Sequence, residues 1–470
     1  MNYIVNYTLF CNISRRRRHC VCHDPCLCCQ SADEEDEEGS FLDVLQPSVF
    51  QLWHDRRPKE RARSVSHDCQ HLKGLSVQRT CSQRLQHVRN YCAKQQAEEA
   101  AVENGASSDG GPDGDVGDSA GRSMSIPDSV VDVFSYRRGK TMVMYCRAYK
   151  AASTYWLRLF RFLHTDTNSV ASPEAISKFK VHLTPFKESQ PLALAYVTRM
   201  LRPGDEEFRF LFTRNPYRRL WAVYIDKFVL PDPYFWNFHA RAIKDMFRNY
   251  DAKQRRKIKD DCEDVSFEDF VRYAVQDPSS PAAHSDDHLR PVSQICNPCA
   301  FQPHFIGRVE SMTDDSEAVL EKLNLSSLIR KNDFRDKTLD QIRTVTEFVH
   351  DTVVARGDLR SCVSDDELQA RLIRAFILKA YLPPHVAEVR RTSVAFSATE
   401  LLNMMRQLFL AYDISEEVAE AQRKQFFANA YRSLPWDLLQ QVRDYYKEDF
   451  AAFGYDPEPP ELFGERQDKD

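Results

Sequence analysis

The sequence predicts an α/β fold: a central, mainly parallel sheet with flanking helices, followed by a helical insertion and a last helix that returns to the domain. Three observations carry this. Between residues 131 and 325, three short apolar runs read as buried strands, and each is followed by a segment with apolar residues at helical spacing. Strands alternating with helices build parallel pairs by crossover. From 326 to 432 the chain stays charged and largely helical, with no matching strands.

Each element has a local cause. "KTMVMYCRA" is a continuous apolar run, as a strand covered on both faces requires, and "ASTYWLRLFRFL" carries the helix after it. "FRFLFTRN" is the second strand, and Pro216 fits the first turn of the next helix, where its missing N–H costs nothing. "SFEDFVRYAV" opens with Ser266 and has Asp269 three residues on, a capped start. "HFIGRVE" is the third strand, and "TDDSEAVLEKLN" a helix with Thr313 as cap and acids in its first turn. "ATELLNMMRQLFLAY" is the clearest amphipathic piece of the insertion. The chain closes on "PWDLLQQVRDYYKEDFAAFGYDPEPP", a helix with aromatic residues on one face, stopped by Gly454 and a Pro-rich tail.

These readings divide the chain. Residues 1–125 are expected to be disordered and of low complexity, with "RRRRHCVCHDPCLCC", "DEEDEE" and the linker-like "ENGASSDGGPDGDVGDSAG". Residues 131–325 form the sheet domain, 326–432 the insertion, 433–456 the helix that completes the domain, and 457–470 a tail.

Formal charge is −5 over 470 residues with 42% hydrophobic content, so a core is expected and a general attraction to nucleic acid is not. Any anion site must be local. No stretch reaches the roughly 18 to 20 apolar residues of a membrane-spanning helix. "YIVNYTLFCNI" is short, and its basic residues follow it rather than precede it, so neither anchor nor signal peptide is read. Fourteen cysteines, with sequons at Asn6, Asn12 and Asn324, lean toward an oxidising compartment.

The turn in "YCRAYKAASTYW" gathers candidate chemistry. A buried parallel strand that turns into a helix presents free N–H groups and the positive end of a helix dipole to an anion. Lys150 adds a charge, and Ser153 and Thr154 add hydroxyl donors. No G-x-x-x-x-G precedes the lysine, which argues against a triphosphate-binding kinase or GTPase. The second strand repeats the arrangement: Arg214 leaves its end, and Arg218 and Arg219 follow one turn into the helix, each able to grip a phosphate with two bonds. Two cationic strand ends suit a ligand with two phosphate-like groups.

These blocks resemble the Golgi carbohydrate sulfotransferases of the chondroitin, dermatan and HNK-1 type, which use 3'-phosphoadenosine 5'-phosphosulfate (PAPS). "YKAASTYWLRLFRFL" is similar to their 5'-phosphosulfate loop and "RNPYRRLWAVYIDKF" to their 3'-phosphate motif. "HLRPVSQICNPCAFQPHFIGRVE" and "YYKEDFAAFGY" resemble two further blocks in the same order. The resemblance implies a P-loop-like, PAPS-binding sulfotransferase fold, a glycan acceptor, no metal, and a Golgi membrane or lumenal location despite the missing anchor. By position, Lys150, Ala151, Ala152, Ser153 and Thr154 would hold the 5'-phosphosulfate, with Lys150 also stabilising the leaving oxygen. Arg214 would take the 3'-phosphate, together with position 222. His288 would be the general base, with Asp287 and Glu310 as partners or alternative bases. Arg290 and Arg308 are candidates for contacting an anionic sugar.

Four positions depart from the pattern: Tyr149 replaces Pro, Tyr155 replaces Asn, Ala222 replaces Ser and Leu289 replaces Trp. Loss of one bond to a charged phosphate costs about 1.5–3 kcal/mol. The alternative is therefore a catalytically weakened nucleotide-binding protein that uses its helical insertion for protein contacts. Cys296 and Cys299 read as a redox pair, half a zinc site or structural disulfides, with Cys262 or Cys362 as partners. The cluster of Cys20, Cys22, Cys26, Cys28 and Cys29 with His19 and His23 reads as a metal site or a disordered segment.

Overall fold

A hairpin of Asp132–Arg138 (β1) and Thr141–Cys146 (β2) opens the sheet of the computed structural model. The structure describes residues 69–464 apart from 71, 106–130, 165–169, 185–190, 248–264, 276–285, 355–358, 360–362 and 389–396. The hairpin turn is two residues long, with Gly139 at φ 59°, and so short a link joins only antiparallel strands. Leu192–Ala193 (β3) pairs antiparallel with β1, while Glu206–Thr213 (β4) and Phe305–Arg308 (β5) extend the sheet in parallel from β2. The order is β3-β1-β2-β4-β5.

The sheet is therefore mixed rather than mainly parallel. The three strands read from the sequence form its parallel half; of the two that went unread, β3 is only two residues long, and β1 is half-exposed and ends in two arginines. In the parallel half Tyr145 sits opposite Phe210, and Phe210 opposite Phe305, so one aromatic row crosses the strands. All three strands finish at one edge, and the turns that follow them share it.

Ahead of the sheet runs Leu75–Gly105 (α1), which corrects the expectation that 1–125 lies outside the fold. Cys69, Leu72, Cys81, Leu85 and Val88 are buried in the sheet's core, and Arg84 donates to Ile306 O at 2.9 Å and to Asp315 Oδ2 at 2.7 Å. Residues 1–68 and 106–125, including the N-terminal Cys and His cluster, lie outside the described residues. Ser153–His164 (α2) lays Trp156 and Phe160 on the aromatic row, with Trp156 4.7 Å from Phe210 between ring centres. Lys178–Leu183 (α3) follows, capped by Ser177. Pro216–Tyr224 (α4) starts from Asn215, whose side chain accepts the Arg218 N–H. Met312–Lys322 (α5) begins after Ser311, so Thr313 lies inside its first turn instead of capping it.

The stretch expected to be an insertion builds a second core. Phe334–Val349 (α6) and Asp365–Leu378 (α7) bring Ile342, Leu372 and Phe376 together with Tyr217, Leu220 and Phe228 of the α4 region. Trp436–Tyr445 (α8) and Lys447–Phe453 (α9) complete the chain's packing, with Gly454 in the left-handed region at φ 65°. The tail joins in as well: Leu462 is buried, and Tyr217 OH donates to Pro457 O at 2.6 Å.

Among the described residues there are three disulfides: Cys69–Cys81 closes a local loop, while Cys92–Cys299 and Cys146–Cys296 join distant segments. Cys296 and Cys299 are thus separate structural links, and their partners are Cys146 and Cys92; Cys262 and Cys362 lie outside the described residues. Among the described residues no group of His, Cys, Asp and Glu could hold a metal ion, and no helix is long and apolar enough to cross a membrane.

Gly307 in β5 leaves no room for a side chain, since a Cβ there would lie 2.3 Å from the Phe212 ring. Gly307→Ala is expected to lower stability by about 1–3 kcal/mol through overpacking, measured as a reduced urea midpoint with unchanged slope.

Candidate active site

The loop between β2 and α2 reverses direction without glycine. Lys150 and Ala152 both take left-handed backbone, at φ 63° and 62°, a conformation that costs a non-glycine residue about 1–2 kcal/mol. Ala151 between them is fully buried and bonds back to Ala148 O at 3.3 Å. Alternating conformations of this kind turn successive N–H groups toward one concavity. Trp156 N–H is the first to reach a carbonyl of the turn, Ala152 O at 3.2 Å, so the N–H groups of Ser153, Thr154 and Tyr155 are those that a helix start leaves without an intrahelical partner.

A cavity of about 780 Å³ opens on this concavity, and it brings together Lys150, Ser153, Thr154, Arg214 and His288 from three separate segments. Ala151 lies beneath the loop, and Ala222, half-buried on α4, is not among the lining residues. Lys150 Nζ is 2.6 Å from Asp226 Oδ2, and Lys379 Nζ is 2.6 Å from Asp226 Oδ1. Asp226 and Lys227 occupy a turn at Ile225–Val229 where α4 widens to π-type bonding, as Leu230 N–H reaches back to Ile225 O. Lys227 pairs with Asp232 at 2.7 Å, Lys178 Nζ sits 4.3 Å over the Phe348 ring, and Thr154 Oγ1 lies 2.9 Å from His182 Nε2.

Burial pushes the Lys150 ammonium down to about 7, with Asp226 opposing the shift and Lys178 and Lys227 adding to it. Burial likewise brings Lys178 to about 8. Burial alone would raise Asp226, but Lys150, Lys379 and Lys178 hold it well below the carboxylate range.

His288 forms the opposite wall. Its Nδ1 is 2.8 Å from Asp286 Oδ1, and a carboxylate only accepts, so Nδ1 carries the proton and Nε2 is left as the basic nitrogen. The second oxygen of Asp286 lies 3.4 Å from His239 Nε2, and His239 Nδ1 is 2.8 Å from Tyr273 OH. Burial drives the His288 imidazole down to about 3 against the hydrogen bond it donates to Asp286, with Lys227 and Lys150 lowering it further. His288 is therefore neutral.

The partner is Asp286, one residue from the expected Asp287. Asp287 pairs with Arg290 at 2.8 Å, and Glu310 accepts from the Asn215 N–H at 2.9 Å and the Tyr455 hydroxyl at 3.2 Å. Arg308 donates to Phe453 O and lies 4.4 Å over the Tyr455 ring, so neither it nor Arg290 lines the cavity. The two arginines read as phosphate grips behave differently too. Arg218 sits 4.6 Å over the Phe427 ring, and Arg219, 1% exposed, donates to Tyr149 O at 2.9 Å, Arg290 O at 2.8 Å and Asp287 O at 2.7 Å.

Sequence reasoning missed Asp226, Lys227, Asp286, Lys178 and Lys379. Asp226 and Lys227 had a usable signal, an acid and a base inside the otherwise apolar run "LWAVYIDKFVL". Lys379 had none, since it caps a helix in a stretch without any motif.

A profile of the Sulfotransferase family matches residues 136–380, just over half the chain, a span that takes in the β2–α2 loop, the His288 wall and Lys379. Carbohydrate sulfotransferase 11 of Mus musculus is 25% identical over 207 residues, 44% of this chain and 57% of that protein. Carbohydrate sulfotransferase 8 of Mus musculus is 26% identical over 277 residues, 59% and 58% of the two chains, and carbohydrate sulfotransferase 14 of Mus musculus is 31% identical over 185 residues, 38% and 43%. The chain thus spans about half the length of these curated relatives. No solved structure gives a significant match. With a strand-end cation loop and a buried histidine on one cavity inside the matched span, the chain belongs to the sulfotransferase family, and the relatives it resembles are carbohydrate sulfotransferases.

Proposed function

We propose that this protein transfers a sulfuryl group from PAPS to a hydroxyl of a glycan, on a glycosaminoglycan or a glycoprotein, such as the 4-hydroxyl of N-acetylgalactosamine in chondroitin or dermatan. The observation that carries the reading is the convergence of Lys150, Arg214 and a neutral His288 on one cavity. In this reading the loop from Lys150 to Thr154 holds the 5'-phosphosulfate in a P-loop-like cradle, and Arg214 holds the 3'-phosphate. His288 Nε2 takes the proton of the acceptor hydroxyl as its oxygen bonds to sulfur. The sulfur–oxygen bond to the 5'-phosphate breaks in line, and Lys150 with the start of α2 offsets the charge left on that oxygen. Adenosine 3',5'-bisphosphate and a sulfate ester are the products, and the proton rests on His288.

Three disulfides favour an oxidising compartment, which supports the Golgi lumen as the site of action. Asn324 is exposed, as a glycosylated sequon requires. The competing reading, a weakened nucleotide-binding protein, predicts donor binding without transfer.

Incubation with radiolabelled PAPS and a panel of desulfated chondroitin, dermatan and glycoprotein glycans tests the reading. Wild type is expected to label at least one acceptor, and His288→Ala to lose about 10²–10⁴-fold in kcat with binding of adenosine 3',5'-bisphosphate retained. Lys150→Ala and Arg214→Ala are expected to weaken that binding as well. Binding without labelling of any acceptor would favour the alternative.

The pH profile supplies a second test. Because kcat/KM reports groups of the free enzyme, it should show no acid limb near 6.5, since His288 stays neutral down to about 3. It should fall as pH rises through about 7, where Lys150 loses its proton, and Lys150→Arg should move that alkaline limb out of range. An acid limb at 6.5 with a flat alkaline side would contradict these assignments.

A further inference from the structure

Around the base, three flat groups form a column. The Arg147 guanidinium lies 4.4 Å over the Tyr149 ring and 5.3 Å from the centre of the Phe134 ring. On its other side Tyr149 stacks on His288, with ring centres 4.0 Å apart and planes 20° from parallel. Phe235 meets the imidazole edge-on at 5.1 Å and 86°. Asp286 holds Nδ1 in the plane of the ring, which fixes its rotation but not its tilt, and the stacked face of Tyr149 fixes the tilt. The backbone of Tyr149 is itself pinned by the bond from Arg219 to its carbonyl at 2.9 Å. Tyr149 stands at the position where the resembling family usually has proline, a residue with no aromatic face.

We propose that Tyr149 is a positioning residue for the base: sandwiched between Arg147 and His288, its ring holds the imidazole in the orientation that presents Nε2 to the acceptor hydroxyl, and it keeps water from that face. The assignment rests on the sulfuryl-transfer reading of the site. It adds to the reading a group on the donor loop itself, so the residue next to Lys150 couples placement of the donor to placement of the base.

The titratable and charged groups about His288 are Asp286 and His239 on one side, Lys227, Asp232 and Lys150 across the cavity, His182 on α3, and Arg147 behind Tyr149. Of these only Arg147 rests on the Tyr149 ring, and Tyr149→Phe keeps that contact, so a change seen in Tyr149→Ala and absent from Tyr149→Phe reports loss of the stacked ring. The test compares Tyr149→Ala, Tyr149→Leu and Tyr149→Phe in the full chain. Removing the ring is expected to lower kcat about tenfold to a hundredfold in the Ala and Leu variants, with binding of adenosine 3',5'-bisphosphate changed by less than about threefold. Tyr149→Phe is expected to restore kcat, because stacking needs the ring and not the hydroxyl.

Titration of ¹³C-labelled histidine, with the His288 signal assigned through His288→Gln, gives a readout independent of turnover. The midpoint should move up toward the ordinary imidazole value in Tyr149→Ala as water reaches the ring, and stay low in Tyr149→Phe. An unchanged midpoint and kcat in Tyr149→Ala, or a Phe variant as impaired as Ala, would overturn the assignment. If wild type transfers no sulfate at all, the functional reading fails, and the titration still decides whether Tyr149 positions His288.

Discussion

One buried guanidinium holds the two halves of the site together. Arg219 leaves α4 with almost no exposure and gives its donors to three carbonyls, one in the β2–α2 loop at Tyr149 and two in the loop of His288 at Asp287 and Arg290. A charge withdrawn from water costs several kcal/mol unless its hydrogen bonds are met, and here backbone oxygens that would otherwise be orphaned meet them. Lysine offers no planar fork and could not reach both loops from one stem. The C-terminal helices secure the same base loop from the other side: Tyr446 donates to Leu289 O at 2.6 Å, and Asp449 accepts from the N–H groups of Val292 at 2.8 Å and Ser293 at 2.7 Å. The tyrosine-rich end of the chain thus earns its place through the loop that carries His288, without entering the cavity.

The electrostatics of the cavity follow from that geometry. Lys150, Lys178, Lys227, Lys379 and Arg214 face Asp226 and Asp232, so cations outnumber anions while both histidines of the wall, His182 and His288, are kept neutral by burial. Asp226 bridges two lysines from opposite cores, Lys150 on the sheet side and Lys379 at the end of α7. A carboxylate so placed holds the Lys379 ammonium charged and opposes the loss of the Lys150 proton that burial favours, and the remaining excess of positive charge leaves room for a doubly anionic group. The helical stretch is therefore part of the site's charge balance, and its apolar core with α4 fixes where Lys379 stands.

The sequence made some of this legible and hid the rest for physical reasons. The three parallel strands could be read because strands covered on both faces must be apolar throughout, and "MVMYC" and "FRFLFT" are. β1 could not, because it is covered by β3 only at Asp132 and Val133 and, carrying Arg137 and Arg138, shows no such run. The cap at Ser266 was local and readable, its hydroxyl accepting the Asp269 N–H at 3.0 Å, whereas α1 has no strong apolar face and is held by Cys92–Cys299 across the fold. In the site, Lys150, Ser153, Thr154 and Arg214 were legible because they sit within one turn of a strand end. Asp286 and Lys379 were not, since their importance lies in partners far away in sequence or in a neighbour that looked equivalent. Arg219 was read as an anion grip for the same reason, because a motif does not say whether a guanidinium faces a ligand or a carbonyl.

The departures from the family pattern take on a common sense in this light. Ala222 does not line the cavity, and the loop that does so keeps its lysine and both hydroxyls. Tyr155 lines the cavity on the side of Ser316, and two changes gather beside His288: Leu289 fills a fully buried position with its carbonyl held by Tyr446, and Tyr149 puts a flat ring against His288. Neither change adds or removes a charge. They alter the shape and dryness of the cavity wall about His288, which in the proposed reading is where the base is oriented. Charge at Lys150 and shape at Tyr149 thus share one loop and face His288 on the other, and Arg219 is the bond that keeps the two loops in register.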